Sequence, residues 1–320
     1  MKRVVLYDPS VSSLNLGDQI IVEAAYEHLQ PVLKGAFEVR VSTHLPVSLR
    51  FSPLLRNADA KFVLGTNLLM GRSRRGFRQW DVNAINARWL GPTVLMGVGW
   101  WKYGSRTSPY TAHLYRSILD PNALHSVRDD YTASLLREIG IKNVVNTGCP
   151  TMWNLTPEHC HSIPTKKASS VVTTVTDYHK DPSNDRSMLQ MLAEVYDHVS
   201  VWPQGYFDGD YLNQVTQGIH RVSVLDPSLA AYNQALSSDV DYVGTRLHAG
   251  IRALQLGRRS IILQVDNRAA EMAKNFGIVT IPRGHNSTLR SKIESDFATE
   301  LNIPWERISL WKSSNGVAEL

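Results

Sequence analysis

The chain has 320 residues, 43% of them apolar and 20% charged, a balance that suits an ordinary globular protein and excludes a disordered or fibrous one. Its length exceeds the usual size of one compact domain, so two domains are expected. The formal charge of +5, from 34 basic and 29 acidic residues spread along the chain, fits an acidic substrate and is too small to argue for nucleic acid.

Lys2 and Arg3 precede only the short apolar run 4–7, too little for the core of a secretory signal. The longest largely apolar stretch, 92–101, carries glycines and falls short of the roughly 20 residues that cross a bilayer. Cys149 and Cys160 stand in no metal or redox spacing, which predicts reduced thiols and a cytoplasmic location. Neither a metal nor a cofactor is expected.

Residues 4–7 read as a strand buried on both faces, followed by a polar loop with Ser10, Ser12, Ser13 and Asn15. A helix begins near Gly17, where Ile20, Ile21, Ala24, Ala25 and Leu29 recur at three and four and make one buried stripe. Strands are then read at 62–64, 93–96 and 123–127. The last leads into a helix over 131–139 that Gly140 stops, and 144–146 reads as the next strand. Residues 156–170 are polar, hold Pro157 and Pro164, and are read as the domain junction, with His159, Cys160 and His161 in a linker. Beyond it the spacing predicts strands at 170–175, 199–202, 240–243 and 260–264, and helices at 187–197, 229–236, 247–256 and 269–276. Strands separated by helices imply parallel pairing. The expected fold class is therefore α/β, with two Rossmann-like doubly wound domains facing a cleft. Residues 1–158 form the acceptor side and 165–320 the donor side, the last helix being free to pack back on the first domain.

In such sheets the ligand sits beyond the carboxyl ends of the strands. Asn15-Leu16-Gly17-Asp18 follows the first strand and opens a helix. Gly17 permits close backbone approach, the helix start offers N–H groups, and Asp18 either caps the helix or accepts a sugar hydroxyl. Leu64-Gly65-Thr66-Asn67 and Met96-Gly97-Val98-Gly99-Trp100 lack the spacing of a dinucleotide fingerprint, so their glycines either allow tight turns or face a ligand. Arg72, Arg74, Arg75 and Arg78 crowd around Gly71 and Gly76, as a solvated loop or as contacts to a phosphorylated or acidic acceptor. Arg128 ends a strand ahead of Asp129 and Asp130. It either pairs with them locally or forks two hydrogen bonds onto a carboxylate or phosphate. The sharpest constellation is Gly244-Thr245-Arg246-Leu247-His248-Ala249-Gly250. Thr245 is the expected N-cap, and Arg246 and His248 stand in the first turn, where the helix dipole favours an anion.

Asn15-Leu16-Gly17-Asp18, Ser126-Val127-Arg128-Asp129, Thr147-Gly148-Cys149-Pro150 and Gly244-Thr245-Arg246-Leu247-His248-Ala249 resemble, in this order and at these spacings, the polysaccharide pyruvyltransferase family. Asp266-Asn267-Arg268, with a helix ending at Gly277, is similar to the family's later motif, so the likeness covers most of the chain. The Arg-Leu-His-Ala piece is its most specific part. The resemblance implies a fold similar to the two-domain GT-B glycosyltransferases. It also implies transfer of a pyruvyl group from phosphoenolpyruvate to a sugar of a polysaccharide or its precursor, forming a ketal and releasing phosphate. On that reading the substrates are held by Asn15, Gly17, Asp18, Asn67, Gly97, Gly99, Arg128, Arg246, His248 and Arg268, with His248 and Arg246 catalytic. Relatives often carry Lys where this chain has Arg268, which keeps the charge but is not equivalent as a proton donor. The expected partners are phosphoenolpyruvate and a glycan or lipid-linked glycan acceptor, without nucleic acid; peripheral membrane contact and homo-oligomerisation are left open. Two alternatives stand beside this reading. A nucleotide-sugar-dependent GT-B glycosyltransferase would release a nucleotide instead of phosphate, and a non-catalytic anion- or glycan-binding protein would hold the donor without turnover.

Overall fold

A computed structural model of the chain describes residues 1–72, 79–104 and 106–317, apart from the side chains of Asn267 and Arg268. Contacts gather the chain into two compact units. One comprises Met1–Ser13, Ile21–Trp153 and Pro304–Leu320, the other Leu14–Ile20 and Asn154–Ile303.

The elements of the first stretch are β1 (Arg3–Asp8), α1 (Gly17–Leu33), β2 (Phe37–Ser42), α2 (Ser52–Arg56), β3 (Ala60–Leu64), α3 (Ala87–Leu90), β4 (Val94–Met96), α4 (Pro109–Ile118), β5 (His125–Val127), α5 (Asp130–Glu138) and β6 (Val144–Asn146). The first unit holds a parallel sheet in the order β2-β1-β3-β4. Val4, Val5, Leu6 and Tyr7 are wholly buried, as an uninterrupted apolar run requires of a central strand. The edge strand β2 passes unnoticed in the sequence reading: Phe37, Val39 and Val41 alternate with Glu38, Arg40 and Ser42, the period of a half-exposed strand.

The strand expected over 123–127 exists only as the three residues of β5, which pairs with β6. This pair stays outside the four-stranded sheet. The edge of β4 is met by side chains instead of backbone: Leu95 N donates to His125 Nδ1 (3.3 Å) and Gly97 N to Ser126 Oγ (2.8 Å), and a single parallel bridge joins Val98 to Val127.

The second unit contains α6 (Pro157–Ser162), β7 (Ser170–Thr173), α7 (Pro182–Val195), β8 (His198–Val201), α8 (Asp208–Thr216), β9 (Val222–Val224), α9 (Leu229–Ala235), β10 (Val240–Gly244), α10 (Leu247–Gln255), β11 (Ser260–Gln264), α11 (Asn267–Phe276), β12 (Thr280–Pro282) and α12 (Asn286–Glu294). Its six strands are parallel in the order β12-β11-β10-β7-β8-β9. The chain winds outward from β7 in one direction and from β10 in the other. These neighbouring strands therefore mark the point where a doubly wound sheet opens for a ligand. The 156–162 segment is not a linker. Thr156 Oγ1 caps α6 by accepting His159 N (3.2 Å), Cys160 is buried, and His159 Nε2 reaches Leu254 O (2.7 Å). The last helix, α13 (Trp305–Ser314), belongs to the first unit, where buried Trp311 lies 6.2 Å from the Phe62 ring and 5.4 Å from that of Trp153. No described helix is long and apolar enough to cross a membrane.

Candidate functional site

In the second unit, the loops that leave the carboxyl ends of the strands converge on a pocket lined by Asn15, Tyr178, Gln204, Thr245, Arg246, Leu247, His248, Val265, Asp266 and Ala269. Tyr178 follows β7, Gln204 follows β8, the Thr245–His248 run follows β10 and Asp266 follows β11, so the pocket stands at the switch point of the sheet.

Thr245 is not the N-cap. Its Oγ1 donates to Thr174 O (3.2 Å), and Arg246, with extended backbone (φ −95°, ψ 110°), is the N-cap residue of α10. The strand end is fixed instead by Thr174, whose Oγ1 accepts Arg246 N (3.1 Å) and bonds the Tyr242 hydroxyl (2.7 Å). His248 therefore falls in the first turn, beside N–H groups that have no acceptor within the helix.

The Arg246 guanidinium is 5% exposed and lies between two carboxylates. Nη2 donates to Asp208 Oδ1 (2.5 Å) and Asp177 Oδ1 (3.0 Å), and the group sits 4.9 Å from the centre of the Tyr178 ring. Nη1 has no hydrogen-bond partner among the described residues, so only this edge is left for a ligand. Asp208 is the hub of the cluster. Its Oδ2 accepts Gly205 N (2.7 Å) and Gln204 N (3.1 Å), while Oδ1 also accepts Asp177 N (3.0 Å). Burial pushes the Asp208 carboxyl above the usual carboxylate range, against the pull of Arg246 and of the Gly205 N–H. Gly205 must lack a side chain, since a Cβ there would stand 2.6 Å from Arg246 Nη2.

Asn15 and Gly17 join this group. Asn15 Oδ1 accepts Gly17 N (3.1 Å) and Gln204 Nε2 (2.7 Å), and a Cβ on Gly17 would lie 2.7 Å from that same amide nitrogen. Gln204 Oε1 is buried without a partner. Asp18 is buried in the first turn of α1.

The first unit assembles a second set around Arg128, which is 6% exposed. Its Nε bonds Asp129 Oδ2 (3.3 Å), and neither Nη nitrogen has a partner among the described residues. Asp129 serves the helix as well, its Oδ1 capping α5 at Thr132 N (2.7 Å). A Cβ on Gly99 would fall 2.4 Å from Arg128 Nε and 2.5 Å from Asn67 Oδ1, so both side chains crowd space that only glycine leaves open. Asn67 Oδ1 is itself buried and unpaired. Gly97, at φ +64°, would press a Cβ to within 2.2 Å of Pro150 Cδ. Its conformation thus serves packing against the Cys149-Pro150 turn.

Arg259 makes a contrast with Arg128. Arg259 is as deeply buried, yet every guanidinium nitrogen is used: Nε and Nη2 on Asp241 (3.2 and 2.7 Å), Nη1 on Thr165 O and Ser295 O, and Nη2 also on Ile293 O. A structural arginine is satisfied in this way, whereas the four Nη N–H donors of Arg128 have no acceptor among the described residues.

Arg72 is exposed in the first unit, and Arg74, Arg75 and Arg78 lie outside the described residues. Arg268 is in the first turn of α11, its side chain likewise outside them. The sequence reading misses Asp177, Tyr178, Gln204, Gly205 and Asp208. The loop after 199–202 contains Gln204 and Gly205, and the carboxyl-end rule applied to it would have found them.

A family model described as polysaccharide pyruvyl transferase matches residues 15–267. No curated protein matches the sequence. Among solved structures the chain is similar to the S. aureus MnaA co-structure with UDP (12% identity, 99% of this chain and 98% of that one, TM-score 0.56). It is also similar to the UDP-GlcNAc 2-epimerase from Neisseria meningitidis bound to UDP-GlcNAc (11% identity, 91% and 90%, TM-score 0.52). At these identities the likeness is one of fold: two Rossmann-like α/β units of the GT-B type.

Proposed function

The chain belongs to the polysaccharide pyruvyl transferase family and is a transferase, and from that premise we propose that it moves a pyruvyl group from phosphoenolpyruvate to two hydroxyls of a sugar, forming a ketal and releasing phosphate. The observation that carries this reading is Arg128, a buried residue whose two Nη nitrogens have no partner among the described residues. Such a group suits a small anion bearing a carboxylate and a phosphate, onto which it can fork two charge-assisted hydrogen bonds. Arg246 Nη1 and the start of α10 offer the same kind of contact in the second unit.

The reaction needs a proton delivered to the methylene carbon of the donor, which makes the adjacent carbon electrophilic. One sugar hydroxyl adds there and gives up its proton; the bond to the phosphate oxygen breaks, and phosphate leaves with a proton. A second hydroxyl then closes the ketal, and the proton it gives up replaces the one spent on the methylene carbon. His248 is assigned the proton transfer, an effect of about 10² to 10⁴ in rate. The arginines stabilise charge moving onto the departing phosphate. Arg72, with Arg74, Arg75 and Arg78, is assigned to anionic groups of the acceptor.

The test is incubation with phosphoenolpyruvate and glycans carrying galactose, mannose or N-acetylmannosamine, following free phosphate and the mass of the sugar product. His248→Ala is expected to bind the donor and lose turnover by the factor above. Release of a nucleotide from a nucleotide sugar, with no phosphate from phosphoenolpyruvate, would replace this reading by glycosyl transfer. Donor binding without product would make the protein a binding module.

A further inference from the structure

Beside the pocket of the second unit, two aromatic rings stand in water. Tyr206 is 74% exposed and Phe207 55%, and they form an edge-to-face pair with centroids 4.9 Å apart. Single exposed apolar side chains are ordinary, but a paired aromatic surface on an anchored loop points to a ligand. The anchoring is extensive. Tyr206 N donates to Leu14 O (2.9 Å), Leu16 N donates to Gln204 O (2.9 Å), and Asn15 and Gly205 form an antiparallel bridge. Asp208, the residue after Phe207, grips Gln204 N and Gly205 N with one oxygen and Arg246 with the other. The rings are thus tied through one buried carboxylate to the guanidinium of the pocket, and a Cβ on Gly205, the residue before Tyr206, would stand 2.6 Å from that guanidinium.

We propose that Tyr206 and Phe207 form the stacking surface for a pyranose ring of the acceptor glycan, a proposal that rests on the transferase reading above for its choice of a sugar. A pyranose presents one face of C–H groups and an edge of hydroxyls. The C–H face matches the electron-rich face of an aromatic ring, whose area is large and whose ordering costs little entropy. Stacking on that face uses no hydroxyl, which is what ketal formation demands, since two neighbouring hydroxyls must stay free to attack. A protein segment would satisfy the rings equally by area, but it would not leave a diol beside Arg246. The surface therefore sets which sugar is presented and at what height above the pocket, and it places an acceptor contact on the second unit.

The experiment is saturation-transfer NMR on the full chain with galactose-, mannose- and N-acetylmannosamine-terminated oligosaccharides, without donor. Transfer to ring C–H protons of at least one of them is expected for the natural chain. It should be lost in Tyr206→Ala/Phe207→Ala and regained in Tyr206→Phe/Phe207→Tyr, which keeps both rings and controls for folding. In turnover with the matching acceptor, the alanine pair should raise the acceptor KM by about tenfold with kcat little changed. Binding by the alanine pair as strong as that of the natural chain, or no transfer to any of the three glycans, overturns the proposal. Glycan binding that follows the rings while phosphoenolpyruvate is never consumed would sink the pyruvyl reading and leave this one standing.

Discussion

Asp208→Asn separates the architecture of the second-unit pocket from its chemistry. The carboxylate accepts four donors, Arg246 Nη2 and Asp177 N on Oδ1 and Gln204 N and Gly205 N on Oδ2. The amide has one accepting oxygen. Whichever way it is turned, two of the four donors lose their acceptor and meet an N–H instead. Hydrogen bonds to a charged group are worth about 1.5–3 kcal/mol each, so the loss is about 3–6 kcal/mol. Burial already disfavours the Asp208 charge, and removing it returns part of that cost. Arg246 also keeps Asp177, so its charge is not stranded. The lower end, about 3 kcal/mol, is therefore expected, a fall of at least about 6 °C in the melting midpoint of a unit this size. Calorimetry of the full chain reads it, and donor binding should weaken in parallel as Arg246 loosens. A midpoint within about 2 °C of the natural chain would refute the reasoning, because it would mean that the carboxylate does not hold the three loops.

Arg128→Met is expected to behave in the opposite sense. Removing a buried cation with both Nη nitrogens unpaired should leave the melting midpoint unchanged or raise it, while donor affinity falls by about 10- to 10²-fold, and a large loss of stability would show the residue to be structural. Acid should weaken the first unit through two histidines that burial holds neutral, His28 and His125, both lowered from 6.5 to about 4. The unfolded chain binds their protons first, so their contribution is complete above pH 6.5 and is lost as pH falls toward 4, about 2 kcal/mol apiece at pH 5. Denaturant titrations at pH 7.5 and pH 5 check this, and His125→Gln should remove about half of the difference.

Much of the frame is legible in the sequence because it depends on local periodicity. The run 4–7 can only be a buried central strand, and it is β1. The spacing of Ile20, Ile21, Ala24, Ala25 and Leu29 gives α1, and the 247–256 stripe gives α10 to within one residue. Edge strands and short helices are weaker signals: β2 alternates over only six residues, and α6 hides in a polar stretch because a single buried Cys160 and a threonine cap suffice to form it.

The candidate site divides along the same line. That Arg128 and Arg246 end strands and precede helices follows from the sequence, since a strand run followed by a cap and an amphipathic stripe places the residue between them. What each guanidinium can still bind does not follow, because it is decided by partners remote in the chain. Asp177 and Asp208 lie 69 and 38 residues from Arg246 and take its Nη2, whereas among the described residues Arg128 bonds its neighbour Asp129 and keeps its Nη edge open. Sequence fixes where a charge stands along the backbone; whether that charge is already neutralised depends on which loops the parallel sheet brings to its carboxyl edge, and only the tertiary structure decides that.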